Sequence, residues 1–160
     1  MKMQYAQIGV IHSPFKTPRG TPIQPGAGKD EPGTVEVFPE YAEGLKDLDG
    51  FSHILLIYDF HRVEETSLSV TPFLDDQMRG VFSTRAPNRP NPMGISVVRL
   101  VSMEGNTLLV KGLDIINGTP LLDIKPYVPE FDAVHAEKTG WLQDRVTKLT
   151  GTKDDGRFTG

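Results

Sequence analysis

The chain has 160 residues, enough for one domain with a core of its own. Hydrophobic residues make up 38% and charged residues 24%, and a formal net charge of −4 excludes a generic basic nucleic-acid coat. There is no cysteine, so disulfide scaffolds, thiolate metal centres and cysteine nucleophiles are excluded as well.

Tyr5–His12 reads as a strand that stops at Ser13-Pro14. Phe15–Pro32 is a Pro- and Gly-rich loop, long enough to suggest function. Thr34–Phe38 is a short strand. Pro39–Leu48 is predicted as a short helix, with Pro39 in its first turn and Tyr41, Leu45 and Leu48 at roughly helical spacing. Phe51–Phe60, the most apolar segment, is predicted as a central buried strand. Val70–Leu74 is an edge candidate, and Gly80–Thr84 and Ile95–Met103 are two more strands. Glu104-Gly105-Asn106 joins Ile95–Met103 to Thr107–Leu113 as a hairpin. Asn117-Gly118-Thr119-Pro120 is a further turn, followed by a short strand, Leu121–Ile124, that Pro126 ends.

This pattern of short strands with little helix predicts a mainly all-β chain, a small β-barrel with one or two short helices. No Gly-x-Gly-x-x-Gly follows a strand, so the fold is non-Rossmann. One domain is expected over residues 1–145, with a polar tail over 146–160. No apolar run reaches the roughly 18–20 residues that span a bilayer, and the first residues lack a signal peptide's apolar centre. A cytoplasmic protein without membrane association is expected. His12, His53, His61 and His135 lack metal-ligand spacing, so no metal is expected.

Charge is unevenly spread. Met1–Lys29 and Gln77–Met103 contain no acid and carry Lys2, Lys16, Arg19, Lys29, Arg79, Arg85, Arg89 and Arg99. Together these stretches would form a positive face on an acidic body, unless arginines such as Arg79 and Arg99 pair across the fold.

Four segments carry chemistry. In Arg85-Ala86-Pro87-Asn88-Arg89-Pro90-Asn91-Pro92-Met93-Gly94-Ile95-Ser96, three prolines stiffen a loop that projects two Arg forks and two Asn amides. Such a loop is preorganised for a carboxylate, a phosphate or a base edge; its bland alternative is a rigid crossover. Gln24, within Thr21-Pro22-Ile23-Gln24-Pro25-Gly26, offers an amide suited to an adenine edge. His61 and Arg62 follow the apolar strand, where a core element meets solvent. Asp114 and Asp123 flank the Asn117-Gly118 turn and could accept a proton or bind hydroxyls, or merely satisfy backbone donors.

At these same places the chain resembles the TsaA/TrmO family of tRNA (N6-threonylcarbamoyladenosine-N6)-methyltransferases. The resemblance rests on Ile8–Phe15, Pro22–Pro25, Leu48–His53, Gly80–Arg85, Arg89-Pro90-Asn91-Pro92-Met93-Gly94 and Asp123-Ile124-Lys125-Pro126-Tyr127. It implies a small β-barrel that binds S-adenosylmethionine in a non-Rossmann manner and acts as a homodimer on a modified adenosine beside the tRNA anticodon. By matching position it implies cofactor contacts at Pro22, Ile23 and Gln24, at His61 and Arg62, at Arg85, near Ile95, and at Asn117, Gly118, Thr119 and Pro120. Ile23 stands where the family often has Arg, which removes a charge contact there. Arg89 and Asn91 are expected to shape the site or hold substrate. Asp114, Asp123 and His61 are the candidate acceptors of the N6 proton, and the sequence does not choose among them. The alternatives are a non-catalytic RNA-binding barrel and a small-molecule methyltransferase on the same scaffold.

Overall fold

The computed structural model describes residues 1–18 and 31–145. Eight strands occur among them: β1 (Gly9–His12), β2 (Pro32–Val37), β3 (His53–Asp59), β4 (Ser69–Val70), β5 (Arg79–Gly80), β6 (Met93–Glu104), β7 (Thr107–Lys111) and β8 (Thr119–Pro126). The only α-helix among these residues, α1, is the single turn Pro129–Asp132. Six strands close into an antiparallel barrel in the order β1-β2-β7-β6-β3-β8, and β4 and β5 form a separate two-stranded ribbon. Closure leaves the barrel without an unpaired edge.

Period-two alternation builds the wall. β3 buries Ile54, Leu56 and Tyr58 and turns the residues between them outward; β6 does the same with Gly94, Ser96, Val98 and Leu100. With Ile11, Val35, Val37, Leu108, Val110, Leu113, Ile115 and Leu121, these side chains fill the barrel. Gly105, at φ +60°, opens the two-residue loop of the β6–β7 hairpin, the place where that turn needs glycine.

Several boundaries differ from the sequence expectation. Pro39–Leu48 is not one helix but two 3₁₀ stretches, Pro39–Leu45 and Leu48–Gly50. Asp47 breaks them apart with a left-handed backbone at φ +69°, and this lets both Leu45 and Leu48 drop into the core. Gly80–Thr84 is a strand only at its first residue and then a 3₁₀ turn, Val81–Ser83. There Ser83 Oγ donates to the Gly80 carbonyl and Thr84 Oγ1 to the Val81 carbonyl, each at 2.8 Å, so side chains compete with a ladder. Val70–Leu74 shrinks to β4, because Pro72 has no N–H to give and Leu74 sits at φ +69°. The N-terminal strand is shorter than expected and starts at Gly9. β8 is longer than expected: Thr119 and Pro120 belong to it and pair with Ile11 and Val10.

The two barrel ends do different things. At one end, Leu45 and Leu48 enter the core between β2 and β3, and the β6–β7 hairpin closes the wall. At the other lie the C-terminal ends of β1, β3 and β7 and the N-terminal ends of β2, β6 and β8. All the long connections that carry expected site residues start or finish at this second end.

Candidate active site

Asp114 follows β7 at that second end. It is partly buried, and Ser96 Oγ donates to its Oδ1 at 2.7 Å. Ser96, 1% exposed, points into the barrel from β6 and meets the hydroxyl of buried Tyr58 on β3 at 2.8 Å. Register makes the meeting possible: Tyr58 lies opposite Gly94, two residues before Ser96. A Cβ on Gly94 would lie 2.3 Å from Tyr58 Cε2, so only glycine leaves the ring its seat. Burial pushes the Asp114 carboxyl up to about 6, against the pull of the Ser96 hydroxyl, its own backbone N–H and the Arg85 charge. Burial, with the Asp114 charge beside it, holds the Tyr58 hydroxyl above its ordinary range, so Tyr58 stays protonated and able to donate.

Arg85 is exposed, and its positive charge reaches both Asp114 and Tyr58. The loop carrying it is tied internally. Arg89 Nη1 donates to the carbonyls of Thr84 and Ala86, at 2.9 and 3.2 Å, so this guanidinium fastens the loop that presents Arg85. Asn88 Nδ2 donates to the Glu65 carbonyl at 3.1 Å, and the Asn88 carbonyl takes the Ser67 N–H. Asn88 Oδ1 is the one buried side-chain atom among the described residues without a hydrogen-bond partner. The Phe60 N–H reaches the Pro92 carbonyl at 2.7 Å, which brings the exposed His61 and Arg62 alongside the exposed Asn91.

The Asn117–Pro120 turn is fixed onto β1. Asn117 Oδ1 accepts from the Ser13 N–H at 3.0 Å, the Gly118 N–H donates to the Ile11 carbonyl at 2.8 Å, and Thr119 Oγ1 donates to the Ile116 carbonyl at 2.7 Å. Ser13 Oγ also donates to the Ile115 carbonyl. The segment directly after Asp114 is therefore rigid.

Not every expected residue joins this cluster. Ile95 and Asp123 sit on the outer wall, each opposite Ile57, and Ile95 is 50% exposed. Asp123 pairs with Lys125 at 2.9 Å and accepts the Ile124 N–H, so it is turned away from Ser96 and Tyr58. Arg79 is also engaged elsewhere, in an ion pair with Asp75 at 2.6 Å. Pro22, Ile23 and Gln24 and the tail from 146 lie outside the described residues, although the β1 and β2 ends flanking 19–30 are at the Asp114 end. No three His, Cys, Asp or Glu among the described residues are grouped to hold a metal, and no helix among them is long and apolar enough to cross a membrane.

Sequence reasoning missed Tyr58 as part of the site and gave no role of their own to Gly94 and Ser96, which end the Arg85–Ser96 segment. One signal was present: Ser96 is the only hydroxyl in the inward series Gly94, Ser96, Val98, Leu100 of β6.

The tRNA-methyltransferase O N-terminal domain family matches residues 10–133. The chain belongs to the tRNA-methyltransferase O family. It is 60% identical over 154 residues to a probable S-adenosyl-L-methionine-binding protein of Pyrococcus abyssi, covering 96% of this chain and 84% of that one. It is 40% identical over 150 residues to the tRNA (adenine(37)-N6)-methyltransferase of Escherichia coli, covering 88% of this chain and 64% of that enzyme. The crystal structure of TrmO from Pseudomonas aeruginosa superposes with a TM-score of 0.74 at 38% identity, over 88% of this chain and 63% of that one. The chain thus spans less than two thirds of the length of these last two relatives. The barrel expected from the family resemblance is the fold observed.

Proposed function

We propose that this chain is an S-adenosylmethionine-dependent methyltransferase that acts on the N6 nitrogen of an adenosine in tRNA. The acceptor is the threonylcarbamoyl-modified adenosine beside the anticodon, and the working form is a cytoplasmic homodimer. One observation carries the reading: in a chain of the tRNA-methyltransferase O family, a carboxylate and an arginine converge at one barrel end. The donor set suits the cofactor. Arg85 offers a fork for a carboxylate, Asp114 supplies negative charge for a cationic sulfur, and Asn88 Oδ1 is a buried acceptor still to be satisfied.

S-adenosylmethionine, when bound, supplies a methyl group already activated on positively charged sulfur. The chain's own task is then alignment and removal of one proton. Arg85, His61, Arg62, the Asn117–Pro120 turn and Pro22–Gln24 are the proposed cofactor contacts. Arg89 holds the loop, and Asn91, exposed beside His61, faces the acceptor. Exposed Met93 and Ile95 on the outer wall offer apolar surface to the second copy.

Calorimetric titration with S-adenosylmethionine, followed by methyl transfer to tRNA read by nucleoside mass spectrometry, tests this. Binding at about one site per chain is expected, and Arg85→Ala should weaken it roughly tenfold or more with little change in stability. Salt-dependent tRNA binding without cofactor binding would make the chain an RNA-binding module. Methyl transfer without RNA would make the acceptor a small molecule.

A further inference from the structure

Three groups compete for the proton that N6 must lose, and the fold separates them. Asp123 is on the outer wall, paired with Lys125. His61 is exposed on the turn after β3. Asp114, at the same barrel end, is the one of the three that terminates a chain of inward-facing hydroxyls. That chain has a direction. Ser96 has one proton, which it gives to Asp114 Oδ1, so the bond at 2.8 Å to Tyr58 must run from the tyrosine hydroxyl to Ser96 Oγ. Tyr58 is locked in turn by Gly94, whose missing Cβ seats the ring, and by Phe60, whose ring meets it edge-on at 5.6 Å.

Resting on the methyltransferase reading above, we infer that Asp114 is the proton acceptor and that Tyr58 and Ser96 are its positioning residues. As the N6 lone pair forms the new N–CH₃ bond, the C–S bond breaks with its electron pair left on sulfur. The proton released from N6 passes to the Asp114 carboxylate. The hydroxyl chain does not carry that proton away. It occupies Oδ1, which holds the carboxyl plane still and directs Oδ2 to the acceptor nitrogen. Asp114 is faced by Ser96 from β6, by Tyr58 from β3 behind Ser96, and by the charge of Arg85 from the loop; each of these favours the carboxylate or leaves it intact. Partial burial opposes them, so the group is a stronger base than a surface aspartate and is still ionised at neutral pH. This accounts for the glycine and serine of Met93-Gly94-Ile95-Ser96 together: one seats the ring and the other relays its hydroxyl.

The test uses the full chain with Ser96→Ala and Tyr58→Phe. Cofactor affinity is measured by calorimetry, single-turnover methyl transfer to tRNA is followed across pH, and the Asp114 carboxyl is titrated by ¹³C NMR in ligand-free protein. Affinity should stay within about twofold. Transfer should slow by about ten- to a hundredfold in Ser96→Ala and less in Tyr58→Phe. The acid limb of the rate profile and the Asp114 resonance should both move to higher pH, further in Ser96→Ala, because the carboxylate has lost a donor. An unchanged Asp114 titration in folded Ser96→Ala overturns the positioning role. Wild-type transfer rates in Asp114→Asn overturn the acceptor. A wild-type protein that binds S-adenosylmethionine and methylates no tRNA overturns the functional reading and the acceptor role with it, and the NMR titration then decides the positioning chain alone.

Discussion

In the barrel, fifteen buried hydrophobic residues form one cluster and every strand is paired on both sides. Between β3 and β6, residues 60–92 share a cluster of only three, Val70, Val81 and Ala86, with a ribbon two residues long. What that region lacks in apolar area it replaces with side-chain bonds to backbone carbonyls, from Arg89, Asn88, Ser83 and Thr84, and with the Asp75–Arg79 ion pair. Hydrophobic burial is non-directional and tolerates repacking, whereas a hydrogen bond fixes a direction. The barrel therefore supplies stability, and the loop region supplies the aim of Arg85. Asp114 stands at the seam, reached by Arg85 on one side and held by Ser96 on the other.

The sharpest way to test this division is to damage the barrel alone. Leu56 is fully buried at the centre of β3. Leu56→Ala should cost about 2–5 kcal/mol in urea unfolding, from lost burial plus the cavity left behind. A small loss would mean that the loop region carries more of the stability than its thin core suggests.

Asp114 makes the next largest difference, and it runs opposite to function. Its carboxyl is raised from 3.8 to about 6 in the folded chain. The native state then binds the proton more tightly than the unfolded state. This contribution to stability is fully present below about pH 4 and is lost as pH rises through about 6, on the order of 2–3 kcal/mol in all. Asp114→Asn can still accept from Ser96 and carries no charge. It should abolish transfer, flatten the pH dependence of unfolding in that window and stabilise the protein at pH 8. Urea titrations at pH 4.5 and pH 8 compare the two proteins; equal pH dependence would mean that Asp114 is not held as described.

The same division explains what was legible in the sequence. The apolar run of Phe51–Phe60, the strand residues of Ile95–Met103 and the turn at Gly105-Asn106 read directly as wall, because apolar runs, strand propensity and turn chemistry are local properties. Gly80–Thr84 did not read correctly. Its hydroxyls bond to carbonyls three residues back, and nothing in residue type alone says whether a serine or threonine serves a ladder or a turn. Arg85 and Asp114 stood out as charged residues in stiff loops. Tyr58, Gly94 and Ser96 did not, because their role lies in the β3–β6 register, which brings residues 38 positions apart into contact. The same holds for Asp123 and Asp114: both flank one turn in sequence, and only barrel closure sends one to the outer wall and the other to the site.

The smallest effect is also the most local. Asp75 is covered by two arginines, Arg79 at 2.6 Å and Arg145 at 3.1 Å. Chiefly the Arg79 bond, helped by the backbone N–H groups of Asp76 and Gln77 and by Arg145, lowers its carboxyl to about 2. Its contribution is present above the ordinary carboxylate range and is lost as pH falls from about 4 through about 2. Trp141 reports on it. Arg79 lies 5.8 Å from the centre of that ring, the indole N–H donates to the Ser83 carbonyl at 2.8 Å, and it is the chain's single tryptophan. Asp75→Ala should free both arginines and shift Trp141 emission to the red, while the barrel's urea midpoint, read by circular dichroism, moves little. Acid should produce the same emission change in the wild type between about pH 4 and pH 2. If instead emission and circular dichroism shift together in the variant, the loop region and the barrel unfold as one unit, and the aim of Arg85 depends on the whole core.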